Sequence, residues 1–374
     1  MRPVRNLLPR LGWAVIVFGW MAPAGPAGAA ELAPGRAGAV DRAVLGELVR
    51  QQLVGLAVGV LEGGEIVHLK GYGWADREGR VPVTPATLFR WASVSKPLTA
   101  VAALQLAEKG LLDLDADVRT YVPEFPDKGV RITARHLLCH QSGIVHYTNG
   151  RVVRTEREYD DPHPFRDVIS ALDTFKESPL LHPPGEKFSY TTHGYILLSA
   201  VVERAGGRRF AEQVAERIAG PLGMSTLRPD YQWEDIPGRA VGYRRLPGRG
   251  LARSADRDVS WKLGGGGFIS SAKDLAKFAG GLLNGKLVSK ETETRMWQRQ
   301  KLRDGTETRH GLGFVIGRDG AGRLTVEHNG AQEKTRTRMF LLPAQRRGVV
   351  VMCNCEFADP TRVTREVIRA LNWE

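Results

Sequence analysis

Apolar and polar positions follow a β-type pattern near both ends of the chain and a helical pattern between them. Residues 53–61 and 65–72 are two β-rich runs joined by Glu62-Gly63-Gly64, which predicts a hairpin. Toward the other end the pattern predicts four more strands, at 312–316, 324–328, 335–342 and 348–354.

The central pattern is helical, and each run carries residues that favour a helix start or stop. The predicted helices are 43–52, 93–109, 134–140, 165–175, 194–205, 272–283 and 360–371. The fold class expected is α+β: an antiparallel β-sheet formed by both chain ends, flanked by helices, with a mostly helical inserted subdomain. We expect a single catalytic domain over 30–374, with a sheet lobe at about 40–90 and 265–374 and a helical lobe at about 91–264.

The first 29 residues resemble a secretory signal peptide. Arg2, Arg5 and Arg10 precede an apolar run at 11–24, which leads into Ala27-Gly28-Ala29. A membrane anchor is the alternative, but the run is shorter than the roughly 20 residues that span a bilayer. We expect an exported protein, periplasmic or secreted, whose mature chain has no transmembrane segment.

Composition narrows the remaining function classes. The 374 residues are 42% hydrophobic and 25% charged, which is typical of a globular protein. The formal net charge is +12, but the arginines are dispersed over several loops and form no compact basic block with interleaved aromatics. We therefore predict no nucleic-acid partner; contact with anionic envelope polymers and a merely solvated basic surface both remain open, and we favour the second.

Cysteine and histidine usage predicts no metal site. Three cysteines are too few for a disulfide framework, and Cys353 and Cys355 form a pair without a further ligand cluster. His136, His140 and His310 are isolated along the chain, so we interpret them as structural.

The sharpest chemical motif is Ser93-Val94-Ser95-Lys96-Pro97. Because Pro97 is tolerated within the first helical turn, the helix is predicted to begin near Ser93. Residues three apart share a helix face, which brings the Ser93 hydroxyl and the Lys96 amine together and turns Ser95 away. This arrangement suits a serine nucleophile with an adjacent proton acceptor; a plain N-cap serine beside a surface lysine is the alternative.

Two further segments carry candidate chemistry. Tyr190 lies just before the predicted helix at 194–205, and nearby ammonium groups would lower its pKa enough for a general base; a half-buried, hydrogen-bonded tyrosine is the alternative. In the predicted strand around His328-Asn329-Gly330-Ala331, the glycine permits close approach of a ligand. The N–H of Ala331 would then complete an oxyanion hole with the N–H of Ser93; an edge-strand bulge is the alternative.

Taken in order, these segments resemble the serine β-lactamase and penicillin-binding-protein superfamily, whose signatures are S-x-x-K, a Ser or Tyr motif, and K/H-(T/S)-G. The resemblance spans nearly the whole mature chain and is closest to the branch of class C β-lactamases, D,D-peptidases and related esterases. Additional matches occur at 82–89, 112–115, 132–143, 184–190 and 267–276.

The resemblance implies Ser93 as the acylated nucleophile, Lys96 as its proton-relay partner and Tyr190 as general base and later leaving-group acid, with no cofactor. It also implies substrate contacts from Thr192, His328, Asn329 and Gly330. Thr192 replaces the usual asparagine of the tyrosine motif, and His328-Asn329 replaces the usual lysine and hydroxyl residue. A histidine is largely neutral at pH 7, so recognition of a substrate carboxylate at this position is expected to be weak.

The sequence thus predicts an exported serine hydrolase that forms an acyl-enzyme with an ester, a peptide-like amide or a β-lactam. The alternative is a protein that binds penicillin or peptidoglycan peptide without hydrolysis, as a sensor. The Gly264 to Gly267 run lacks the context of a phosphate loop and is interpreted as a turn beside the site. The sequence does not indicate whether the protein forms oligomers.

Overall fold

A seven-stranded antiparallel sheet is the largest element of the structure, a computed structural model that describes residues 31–154, 165–248 and 250–374. Its strand order is β3-β2-β1-β12-β11-β10-β9. These strands are β1 (Gly55–Glu62), β2 (Glu65–Asp76), β3 (Val81–Pro82), β9 (Val315–Arg318), β10 (Leu324–Gln332), β11 (Thr335–Leu342) and β12 (Arg347–Cys353). Because β1 pairs with β12, the two chain ends build one sheet, which confirms the fold predicted from the sequence.

Short strands and helices fill the region between the two ends. Two small sheets have the orders β4-β8-β5 and β6-β7, from β4 (Leu88–Arg90), β5 (Arg228–Pro229), β6 (Tyr243–Leu246), β7 (Gly250–Arg253) and β8 (Phe268–Ser271). The helices are α1 (Pro34–Gln51), α2 (Ser95–Glu108), α3 (Ala134–Leu138), α4 (Thr192–Gly206), α5 (Phe210–Val214), α6 (Gly220–Leu222), α7 (Leu263–Gly266), α8 (Ala272–Leu283), α9 (Lys290–Met296) and α10 (Pro360–Ala370).

Helices cover both faces of the large sheet, so its central strands are almost continuously apolar. One face contributes Ala57, Val350 and Met352 to a core shared with α2, α4 and α8. The opposite face contributes Val58 and Val351 to a second core with α1 and α10. A side chain at a given strand position therefore faces either the helical region or the α1/α10 pair.

Several predicted elements differ from those observed. The helix predicted at 43–52 begins earlier and is observed as Pro34–Gln51. Within 165–175 the structure has a short 3₁₀ turn, Ser170–Thr174, instead of a full helix. The Asp167 side chain accepts from Ser170 N at 2.7 Å, a local bond that competes with helical pairing. The strand predicted at 312–316 begins at Val315, because Gly313 has a φ of 92° and the N–H groups of residues 312 and 313 bond outside the sheet.

Residues Glu31–Glu374 form one compact unit. Within the described ranges, no helix is long and apolar enough to cross a membrane. The predicted leader at 1–29 lies outside the described residues.

Candidate active site

Ser93 lies in a 3₁₀ turn, Ala92–Val94, which connects β4 to α2. Arg90 anchors the preceding strand through two sets of contacts. Its side chain is paired with the buried carboxylate of Asp230. The backbone carbonyl oxygen of Arg90 accepts from the hydroxyls of Thr335 and Thr337 at 3.1 and 3.0 Å. Ala92 has a φ of 47°, an uncommon conformation for a residue with a side chain. The α-helix begins at Ser95, two residues after the predicted start, so the serine precedes α2 in a constrained turn.

Lys96 is fully buried, and its amine lies at the centre of the site. The Nζ atom is 3.1 Å from Ser93 Oγ, 3.1 Å from Thr192 Oγ1 and 2.7 Å from the carbonyl oxygen of Gly265. Among the described residues no carboxylate forms an ion pair with it. Burial, together with the positive charge of Lys262, lowers the pKa of Lys96 well below its usual value. The unprotonated amine can accept the proton of Ser93.

Tyr190 is held beside Ser93 by the start of α4. The backbone N–H groups of Thr191 and Thr192 donate to Nδ1 of His140 and His146, each at 3.1 Å. The Tyr190 ring centroid is 4.8 Å from Lys96 Nζ, and the Ser93 side chain is close enough to act on the pKa of the Tyr190 hydroxyl. The three side chains that the sequence selected for catalysis therefore lie together.

The protonation expected for Tyr190 is corrected by its surroundings. The sequence predicted a lowered pKa, but burial raises the pKa of Tyr190 above its usual value. The ammonium that was expected to stabilise a phenolate is itself disfavoured by burial at Lys96. The phenol is therefore suited to carry and donate a proton, and Lys96 is the group whose pKa suits proton removal.

Strand β10 passes directly against the nucleophile turn. A Cβ atom on Gly330 would lie 2.5 Å from the carbonyl oxygen of Trp91 and 3.3 Å from Ser93 N, so glycine alone fits at this position. Ala331 follows and lines the adjacent cleft. The oxyanion hole formed by the N–H groups of Ser93 and Ala331 remains a prediction that this close approach favours.

His328 is buried and neutral. Its Nδ1–H donates to the carbonyl oxygen of Asn329 at 2.8 Å, which leaves Nε2 as an acceptor. Burial, with a smaller contribution from Lys96, lowers the pKa of His328 to about 3. His328 therefore supplies no positive charge for a substrate carboxylate.

Of two expected substrate contacts, the one from Asn329 is wrong in this geometry, and the one from Thr192 stays a prediction. Asn329 pairs with Arg338 across the ladder, and its Oδ1 accepts from that guanidinium at 2.9 Å, on the sheet face that meets α10. Thr192 is buried, and its hydroxyl contacts Lys96. Because strand side chains alternate between faces, Asn329 points away from the face of His328 and Gly330. The Thr192 hydroxyl also helps to position the Lys96 amine.

Sequence reasoning missed the lysine in the cleft beside the site. The cleft has a volume of about 950 Å³, and its lining includes Tyr147, Trp261, Lys262, Ala331 and Gln332. The glycine run after Lys262 was the available signal. A Cβ on Gly264 would lie 2.5 Å from Ser199 Cβ, and one on Gly265 would lie 2.6 Å from Thr192 Cγ2. The glycines thus allow α7 to pack closely on α4, which places Lys262 near Lys96.

Metal binding finds no support in the part of the chain that is described: no group of three or more histidine, cysteine, aspartate or glutamate side chains is arranged to hold an ion there. Five histidines near the site, four of them buried and His310 half-buried, contact backbone groups and aromatic rings. They are His140, His146, His193, His310 and His328.

Comparison with known proteins agrees with this geometry. The family model "Beta-lactamase" matches residues 40–372. The human serine beta-lactamase-like protein LACTB, mitochondrial, is 34% identical over 296 residues, which cover 63% of this chain and 54% of that protein. Esterase EstB of Burkholderia gladioli is 36% identical over 192 residues, which cover 49% of each chain. The chain spans about half the length of these curated relatives.

A solved structure shows the same fold. The octameric penicillin-binding protein homologue from Pyrococcus abyssi aligns with a TM-score of 0.74 and 25% identity, covering 90% of this chain and 77% of that one. The match of the family model over nearly all described elements is the decisive finding. The chain therefore belongs to the β-lactamase family, within the superfamily of serine β-lactamases and penicillin-binding proteins, whose enzymes are serine hydrolases.

Proposed function

We propose that this chain is an exported serine hydrolase that forms a covalent acyl-enzyme through Ser93. The observation that carries the proposal is the buried Lys96 amine, 3.1 Å from Ser93 Oγ and without an ion-pair partner in the described chain. Burial lowers the pKa of this amine well below its usual value, which favours the uncharged form that acts as a base. The esterase among the relatives supports ester substrates; peptide-like amides and β-lactams are the further candidates.

The first half of the reaction acylates the serine. As Ser93 Oγ attacks the carbonyl carbon, its proton passes to Lys96 Nζ, and the carbonyl oxygen becomes an oxyanion that accepts from the N–H groups of Ser93 and Ala331. The bond to the leaving group then breaks. The proton returns from Lys96 through the Tyr190 hydroxyl to the departing oxygen or nitrogen.

The second half releases the acid. Water attacks the acyl ester on Ser93 and gives its proton to the same Lys96 and Tyr190 pair. The ester bond to Ser93 Oγ breaks, the proton returns to that oxygen, and the carboxylic acid leaves. Each turnover consumes one water and regenerates the free serine.

Covalent labelling tests the nucleophile. A fluorophosphonate probe, followed by intact-mass analysis, is expected to add one label per chain, and Ser93→Ala is expected to abolish it. Ser95→Ala is the matched control, because Ser95 is a buried serine at the start of α2, and its hydroxyl has no hydrogen-bond partner among the described residues. A folded protein that takes no label, or a Ser93→Ala variant that still does, would refute the proposal.

A turnover assay distinguishes a hydrolase from a protein that binds its ligand without hydrolysing it. A protein that binds penicillin or peptidoglycan peptide without hydrolysis is favoured by the absence of an amide side chain at Thr192, whose hydroxyl faces Lys96. Nitrocefin, p-nitrophenyl esters and peptides ending in D-Ala-D-Ala should be assayed side by side. Repeated turnover of one class supports the hydrolase, whereas a single stoichiometric acylation by every reactive compound supports the sensor.

The proposed export rests on residues 1–29, which lie outside the described residues. Expression of the full chain in a Gram-negative host, followed by mass analysis of the periplasmic fraction, is expected to show a mature protein that begins near residue 30. An intact leader on protein retained in the cytoplasm would contradict export.

A further inference from the structure

The cleft beside the nucleophile contains a buried cation that the catalytic steps above do not use. Lys262 lines this cleft and is 7% exposed. Across the described residues, its ammonium makes no hydrogen bond or ion pair. It lies instead near two aromatic rings, 5.3 Å from the centroid of Trp261 and 5.8 Å from that of Tyr147.

Burial of an unpaired ammonium is costly, and the surroundings of Lys262 offset this cost only in part. Two aromatic faces attract a cation. Glu333 and Asp258 also raise the pKa of Lys262, but neither approaches within ion-pair distance, and Asp258 accepts from Ser260. Burial still lowers the pKa of Lys262 to about 8, so the side chain is mainly protonated at pH 7. The cleft thus presents a charged donor to whatever enters it.

Lys262 lies close to the catalytic residues in the fold. It lies three residues before Gly265, whose carbonyl oxygen accepts from Lys96. Its cleft also includes Ala331 and Gln332, the residues that follow Gly330 on β10. A substrate whose carbonyl oxygen occupies the expected oxyanion hole would extend one of its two substituents along these residues into the cleft.

The lining of the cleft carries four basic side chains and three acidic ones, so its formal charge balance is slightly positive. Arg336 also lines the cleft, and its Nη1 donates to the carbonyl oxygens of Gln332 and Thr335. His328, at the other side of Gly330, is neutral and supplies no charge. The positive charge that a substrate carboxylate would meet therefore comes from the side of Lys262.

We propose that Lys262 binds a carboxylate of the substrate, so that this hydrolase prefers acyl compounds that carry an anionic group over their uncharged analogues. The inference rests on the proposed acyl-enzyme function of Ser93. It adds a specificity-determining residue on α7's N-terminal side, outside the three motifs. The loss of one charge-assisted hydrogen bond in a partly desolvated site is expected to reduce kcat/KM by about 10- to 100-fold.

The experiment compares substrates that differ in one charge. One pair is mono-p-nitrophenyl glutarate and its methyl ester, with the carboxylate on the acyl side. The other is 3-acetoxybenzoate and its methyl ester, with the carboxylate on the leaving group. The ratio of kcat/KM within each pair is measured for the unmodified protein, Lys262→Met, Lys262→Arg and the control Lys277→Met, whose lysine lies on α8 away from the cleft.

The unmodified protein is expected to prefer the charged member of at least one pair by about 10-fold or more. Lys262→Met should abolish that preference, Lys262→Arg should retain it, and Lys277→Met should leave it unchanged. Ratios near one in the unmodified protein, or an unchanged ratio in Lys262→Met, would overturn the inference. Failure of the proposed function is distinguishable, since Ser93 would then take no fluorophosphonate label in any variant.

Discussion

At the scale of single residues, the site depends on burial, which lowers the pKa of Lys96 and raises the pKa of Tyr190. Burial disfavours the ammonium of Lys96 and the phenolate of Tyr190, so both groups are stable in their neutral forms. A neutral amine accepts protons and a neutral phenol donates them. The pair is thus arranged to take the proton of Ser93 and to return it to a leaving group.

Tyr190→Phe tests the second of these roles. The change is expected to slow acylation of Ser93 by roughly 10²- to 10⁴-fold, because a positioned proton-transfer group is lost. The rise of the rate with pH should persist, since Lys96 remains. Tyr231→Phe is the control, because Tyr231 is a partly buried tyrosine stacked on Trp233. An unchanged acylation rate, measured by time-resolved intact mass, would remove Tyr190 from this role.

Helix spacing predicted that Ser93 and Lys96 meet, and a glycine in a strand predicted the close approach at Gly330, whereas the role of Tyr190 came from the family resemblance. The sequence-based prediction was wrong at Asn329, because strand alternation turns that side chain to the other face of the sheet. It missed Lys262, which lies outside the three motifs that guided the sequence analysis, and whose proximity to Lys96 arises from tertiary packing of α7. A pattern of residue types does not show burial, and burial sets the pKa directions here.

At the scale of elements, the close contact between β10 and the nucleophile turn constrains the site. Gly330 brings the strand within reach of Trp91 and Ser93, and any side chain at this position would meet backbone atoms. The helix α4 is fixed in a second way, by bonds from its first N–H groups to His140 and His146. Both contacts join segments far apart in the sequence.

Gly330→Ala tests the strand contact. The added Cβ would lie 2.5 Å from a carbonyl oxygen, so the strand or the turn must shift. The free energy of unfolding is expected to fall by about 1–3 kcal/mol. Labelling of Ser93 should slow by 100-fold or more, as the oxyanion donors separate. Gly320→Ala is the matched control, since nothing lies within 4 Å of its added Cβ; equal behaviour of the two variants would contradict the account.

Most long elements followed from hydrophobic periodicity. The helix predicted at 272–283 was observed as Ala272–Leu283, and β11 was observed as Thr335–Leu342. Short elements such as β4 and β8 were missed, because two to four residues carry too little periodicity to be recognised. Their pairing is nonetheless what anchors the strand before Ser93.

At the scale of the whole molecule, one core is built around several neutral histidines. Burial is the largest cause of the lowered pKa of each, to about 3 for His146 and His328, to about 4 for His193 and His310, and well below the usual value for His140. The unfolded chain therefore binds more protons than the native one below pH 6.5. The stability that these groups contribute is complete above pH 6.5 and is lost as the pH falls toward their native pKa values.

Urea unfolding between pH 7 and pH 5 measures this effect, in a range where carboxylates contribute little. The free energy of unfolding is expected to decrease below pH 6.5 by up to about 1 kcal/mol per pH unit for each buried histidine. His310→Gln should reduce the slope, because one of the titrating groups is removed. A free energy that stays constant from pH 7 to pH 5 would show that these histidines are not buried in neutral form.

The central claim is that the neutral amine of Lys96 activates Ser93, and the pH dependence of fluorophosphonate labelling tests it most directly. The labelling rate is expected to rise as Lys96 loses its proton and to reach a plateau at a pH well below 10.5, its unperturbed pKa. Lys96→Ala should label at least about 100-fold more slowly and lose this transition. A rate that climbs without a plateau beyond pH 10, or that is unchanged in Lys96→Ala, would contradict the account.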